Sequence, residues 1–204
     1  MVIKLEKTKH YYNELPSDYK EDYSIDAKSN KFTLIATLVT LILTVSVIAL
    51  ALSFIHFNVN LRIDGIKDLM IIIIGLVCFI LYIILHELTH GLFYKIFTRE
   101  KLKYGFTLTV AYCGVPTIYV KKIPMIITCL APFVTFNIVF ITPLFFVTNN
   151  LIYLVISILL GFHVGGCSGD LFATIIMIFK YHKKDILIND TGPKQTFYKK
   201  SDLE

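Results

Sequence analysis

The residues His86-Glu87-Leu88-Thr89-His90 are the pattern in this chain with the most definite chemistry. On a helix, residues four apart share a face, so both imidazoles can reach one metal ion. Glu87 lies about 100° round the helix from His86, close enough to the metal's open side to take a proton from water. This is the HExxH arrangement: two neutral imidazoles as ligands and a carboxylate as general base. Its chemistry is hydrolysis, and Zn2+ is the ion it suits.

A catalytic zinc usually has three protein ligands and keeps a fourth position for water. The third is sought in His163-Val164-Gly165-Gly166-Cys167-Ser168-Gly169-Asp170. Asp170 and Glu87 are the only carboxylates inside the long apolar runs of the chain. His163 is the rival ligand. It stands seven residues before Asp170, an offset of ~10 Å along a helix unless the Gly165-Gly166 region is unwound. Otherwise His163 would orient a ligand from behind or stabilise an oxyanion. Asn137 could hydrogen-bond substrate or a ligand, although helix packing explains it equally well.

The elements that must position these groups are membrane helices. Of 204 residues, 55% are hydrophobic and 17% charged, with a mean hydropathy of +0.67. A soluble domain carries about 25% charged residues, and a disordered chain has the opposite bias. Four apolar runs, 32–57, 69–97, 123–147 and 151–179, are each long enough to cross a hydrocarbon core of ~30 Å. The polar lead of 31 residues argues against a cleaved signal peptide. The net charge of +5 lies in short clusters beside apolar runs, so nucleic acid is not an expected partner. Cys78, Cys113, Cys129 and Cys167 show no CxxC pairing, which suggests neither a disulfide framework nor a cysteine zinc site.

Lys and Arg number 6, 2, 5, 0 and 6 through the five segments between and beyond these runs. Basic residues mark the cytoplasmic side, so both termini and the 98–122 segment are expected inside. His86 and His90 precede Arg99 by 13 and 9 residues, and Asp170 precedes Lys180 by 10. At ~1.5 Å per residue, the three groups share one layer roughly 15 Å from the inner helix ends.

The expected fold is thus an all-α membrane protein, with four transmembrane helices and a short cytoplasmic β-hairpin between the second and third. The hairpin is read from alternation at 106–110 and a β-prone 117–120, with Gly114 and Pro116 between them. Either strand could hold an extended substrate by its edge. A polar arm at 1–31 and a basic tail at 181–204 flank the membrane domain at 32–180. Thr33, Thr37, Thr40 and Thr44 form a small-residue face suited to helix packing, and His56 is expected at the membrane interface.

Through HELTHGLFYKIF at 86–97, AYCGVP at 111–116 and CSGDL at 167–171, the chain resembles the bacterial zincin peptidase family of small multi-pass membrane proteins. These are similar to site-2 protease-type intramembrane metalloproteases. The resemblance covers roughly residues 32–180. It implies His86, His90 and Asp170 as zinc ligands and Glu87 as the catalytic acid/base. Site-2 proteases place their aspartate before a glycine in an Asn-Pro-containing stretch, whereas here Gly169 precedes Asp170.

The expected function is zinc-dependent intramembrane hydrolysis of a peptide bond near the inner half of the bilayer, with a membrane-associated peptide or protein as substrate. The alternative is a non-enzymatic metal-binding membrane protein. A transporter would more often show paired repeats or a second ionisable cluster, and neither is visible.

Overall fold

The computed structural model describes residues 10–27, 29–54, 65–107 and 110–201. In chain order these form β1 (Tyr11–Tyr12), β2 (Tyr19–Asp26), α1 (Asn30–Ser53), α2 (Ile66–Thr98), β3 (Lys103–Phe106), β4 (Ala111–Lys121), α3 (Lys122–Leu144), α4 (Asn150–Gly166), α5 (Ser168–Ile175), β5 (Ile186–Asp190) and β6 (Lys194–Lys200). A π-helical turn, Ile176–Lys180, extends α5. Four segments are long and apolar enough to cross a membrane: Thr33–Ser53, Ile66–Thr98, Lys122–Leu144 and Asn150–Lys180. Large apolar side chains such as Leu34, Ile42, Ile74 and Ile138 remain exposed along them, a surface that lipid would cover. His56 and most of the 58–68 loop lie outside the described residues.

The all-α expectation is corrected. A six-stranded antiparallel sheet, ordered β1-β4-β5-β6-β2 with β3 also on β4, accompanies the helices. A hairpin between the second and third spans is present, but not with the expected strands: β3 pairs β4 from Lys103↔Gly114 to Phe106↔Ala111, so Gly114 and Pro116 lie inside β4 and not between the two strands. It is one part of a larger sheet to which residues of the arm and the tail contribute the other strands. Their apolar positions explain why. Ile186, Leu187, Ile188 and Phe197 are fully buried, and Ile186, Ile188 and Phe197 close with Val115 and Val120 over Met125 of α3 and Met177 of the π turn. Gly192, at φ 93, provides the left-handed residue of the β5–β6 turn, where Thr191 N–H donates to Lys194 O at 3.0 Å.

Polar contacts fasten the arm. Lys180 Nζ lies 2.8 Å from Asp22, and Tyr19 Oη donates to Asp185 at 2.8 Å. The Lys180 and Tyr181 hydrogen bonds hold the Asp22 carboxyl below its usual range. Lys122 Nζ donates to the carbonyls of Tyr181, His182 and Lys184, tying the start of α3 to the end of the fourth span. The sheet therefore sits at the end of the bundle where α2 stops, α3 starts and the π turn finishes.

Candidate metal centre

The centre is built on α2. Tyr82, His86, His90 and Tyr94 recur every fourth residue, so they form one stripe, and all four are buried. The stripe faces α3, α4 and the sheet. From the fourth span, Asp170 in the first turn of α5 comes within 3.2 Å of His90 Nε2 and 3.5 Å of His86 Nε2. Two ligands of one tetrahedral zinc, each bonded at ~2.0–2.1 Å, lie about 3.3 Å apart. Ligand atoms of His86, His90 and Asp170 all fall within 4.8 Å of one another, a group able to hold a metal ion.

The chemistry of the donors supports the same fit. His90 Nδ1 is 2.9 Å from Thr128 O, which can only accept, so Nδ1 carries the hydrogen. Neutral His90 then turns the Nε2 lone pair toward Asp170. A lone pair and a carboxylate oxygen at 3.2 Å repel unless a cation lies between them or the ring gains a second proton. One divalent ion satisfies both histidines together. The residues present fit zinc.

Thr128 O is free to receive His90 because of a proline. Inside a helix this carbonyl would accept the N–H of residue 132, but Pro132 has none. The main-chain acceptor that orients one imidazole is thus produced by the sequence four residues downstream. His86 is held differently, with its Nδ1 3.1 Å from Tyr82 Oη.

Packing of α1 sets the position of Asp170. The glycines of α4 let α1 approach closely, for a Cβ on Gly165 would lie 2.7 Å from Thr40 O, and one on Gly161 2.9 Å from Thr44 O. Thr40 Oγ1 and Ser168 Oγ are then 2.8 Å apart, two residues before Asp170. The threonine face therefore packs on α4, while Thr33, Thr37 and Thr40 also line the central cavity.

That cavity, of about 560 Å³, brings together His86, Glu87, His90 and Asp170. Glu87 is half-buried in its wall. Asn137 is not among the lining residues, and its side-chain amide donates to Phe133 O one turn back at 2.8 Å. His163 is fully buried beside the cluster, with its ring centroid 6.4 Å from that of His86. The expected axial offset of His163 is bridged by Tyr82, which stands one turn before His86 and reaches His163 Nδ1 at 3.0 Å. Asp170 thus meets the front of the His86 ring and His163 its back. A second group of potential metal donors, His86, His163 and Cys167, lies on that rear side.

Sequence reasoning passed over Tyr82, Pro132 and Asp190. The first extends the four-residue spacing of the histidines by one step, which was the available signal. Asp190 lies at the end of β5, lines the cavity, and accepts from Tyr94 Oη, Gly192 N–H at 2.8 Å and Gln195 at 3.2 Å. Burial pushes its carboxyl up to about 6 despite these donors. Nothing local in the tail announces that it reaches the cavity.

Two histidines one turn apart, an aspartate from a second helix and a carboxylate in the cavity wall define a candidate mononuclear metal centre among apolar helices. The family described as "Putative zincin peptidase" matches residues 79–186, and the chain belongs to it. The match spans α2 from before the stripe to the start of β5. No curated protein and no solved structure matches the chain.

Proposed function

We propose that this protein is a zinc-dependent intramembrane endopeptidase, akin to the site-2 protease type, in which His86, His90 and Asp170 hold the metal and Glu87 is the general base. The observation that carries this reading is the approach of both imidazole Nε2 atoms to Asp170 at 3.2 and 3.5 Å in a cavity shared with Glu87. Zinc in this site supplies the Lewis acidity that polarises a scissile carbonyl and lowers the pKa of water. A Glu87 carboxylate oxygen takes the proton of the attacking water and passes it to the departing amine. The apolar helices limit solvent to the cavity, and the carbonyl of Thr128 keeps the His90 ring in register. By its basic flanks the sheet end faces the cytoplasm, so the cut falls in the inner half of the cell membrane, in a membrane-associated peptide or protein.

Chelation is the direct test. The purified protein in detergent is expected to carry one zinc, to cleave peptides containing transmembrane sequences, and to lose that activity when a chelator strips the metal. Added zinc should restore it. Cleavage that persists in metal-free protein would end the reading.

The substrate edge can be narrowed. In the 117–120 stretch, β1 pairs with Tyr119 and Val120 and β5 with Val120, so the edges are taken up at the end nearest α3. Residues 108 and 109 lie outside the described residues, and β3 ends at Phe106. In β4, pairing with β5 stops at Val115, leaving 111–113 with β3 on one side while these residues line the cavity. An extended substrate pairs there. Prolines scanned through 111–113 should impair turnover where the lost N–H points away from β3, with zinc content unchanged. Full turnover at all three positions would place the substrate elsewhere.

A further inference from the structure

We infer that Tyr82 and His163 are positioning residues that hold His86 as the tautomer whose Nε2 lone pair faces Asp170. The inference rests on the zinc reading for its functional meaning, but its geometry is independent of any metal. Tyr82 Oη lies 3.1 Å from His86 Nδ1 and 3.0 Å from His163 Nδ1, and all three residues are buried. At the far end of the chain, His163 Nε2 is 3.3 Å from Phe133 O.

One hydroxyl has one proton, and this decides the direction of every bond. Phe133 O accepts and cannot donate, so His163 carries its hydrogen on Nε2. A neutral His163 then has a lone pair on Nδ1. Its other neighbour there is the Cys167 sulfur at 3.6 Å, a weak donor, and no carboxylate contacts the ring among the described residues. Tyr82 therefore donates to His163 Nδ1. The phenol oxygen is left to accept, and the hydrogen it accepts is that of His86 Nδ1. A neutral His86 with its hydrogen on Nδ1 has its lone pair on Nε2, the atom turned toward Asp170. A main-chain carbonyl of α3 thus sets the proton arrangement of a histidine on α2, through one side chain from each of two helices.

His90 reaches the same state by one direct bond to Thr128 O. Both imidazoles are fixed from behind by carbonyls of α3, one directly and one through Tyr82 and His163. This arrangement pre-forms two lone pairs in the apolar interior, where an incorrectly placed N–H would face the metal.

The test is zinc affinity of the full-length protein in detergent, measured by competition with a chromogenic chelator. Tyr82→Phe and His163→Leu should each weaken zinc binding about 10–100-fold with stoichiometry kept at one, the range for loss of a group behind a ligand. The double variant should be little weaker than either single one, because both changes break one chain. His163→Asn, whose amide oxygen can accept from Tyr82, should recover much of the loss. A second readout needs no metal: nitrogen-15 spectra of histidine-labelled, zinc-free Asp170→Ala protein, in which no carboxylate opposes the Nε2 lone pair, should show the His86 hydrogen on Nδ1, and adding His163→Leu should give a mixture of tautomers. Parent protein that binds no zinc would sink the peptidase reading, and the spectra would still decide the tautomer. Unchanged affinity in Tyr82→Phe, or a His86 hydrogen on Nε2, overturns the inference. So does loss of zinc stoichiometry in both His163→Leu and Cys167→Ala, since those residues would then be ligands themselves.

Discussion

Purified Asp170→Ala protein is expected to lose its zinc and with it all measurable peptide hydrolysis. Two imidazoles alone make a poor site, because zinc at a catalytic centre draws on three protein ligands. Among the described residues, Asp170 is also the only carboxylate positioned between them, at 3.2 and 3.5 Å. Removing it deletes both a ligand and the charge that offsets the ion among apolar helices, where an uncompensated charge is costly. The loss of affinity should exceed the roughly 10–100-fold typical of groups behind a ligand. Metal analysis by mass spectrometry checks it. Near-stoichiometric zinc in a folded Asp170→Ala protein would move the third ligand elsewhere, with the His163–Cys167 side as the place to look.

Glu87→Gln should separate chemistry from binding. Glu87 lines the cavity but is absent from the groups placed to share an ion, so its amide should leave zinc in place. An amide cannot take the water proton, and loss of a general base lowers turnover about 100- to 10,000-fold. In cells, uncut membrane proteins should accumulate with Glu87→Gln relative to the parent. If metal and activity disappear together, Glu87 is a ligand and the assignment of His86-Glu87-Leu88-Thr89-His90 changes.

The centre was legible because ionisable residues are expensive in apolar runs. Two histidines, Glu87 and Asp170 stood out against long stretches of Leu, Ile and Val, and counting from the basic ends placed them in one layer. The groups behind them were not legible. Tyr82 in an apolar run reads as packing, and Pro132 reads as a kink, until the structure shows which carbonyl it releases. The sheet escaped for another reason. In β2 the outward residues Lys20, Glu21 and Asp22 dominate the impression of a polar arm, while the partner strand β6 lies some 175 residues further on. In the tail, Lys180, Lys183 and Lys184 give the segment its basic character, although the buried run Ile186, Leu187 and Ile188 follows closely.

Pro132 also sets a conflict for protein engineering. A proline in a helix interior costs about 3 kcal/mol against alanine in soluble hosts, so Pro132→Ala is a change that stability design would choose early. It returns an N–H at residue 132, and that hydrogen competes with His90 for Thr128 O. A laboratory selection on melting temperature alone would thus favour a straighter third span and, in the same step, a histidine free to turn its hydrogen toward the metal. Robustness and metal retention are opposed at a single codon, a local form of the exchange between stability and activity.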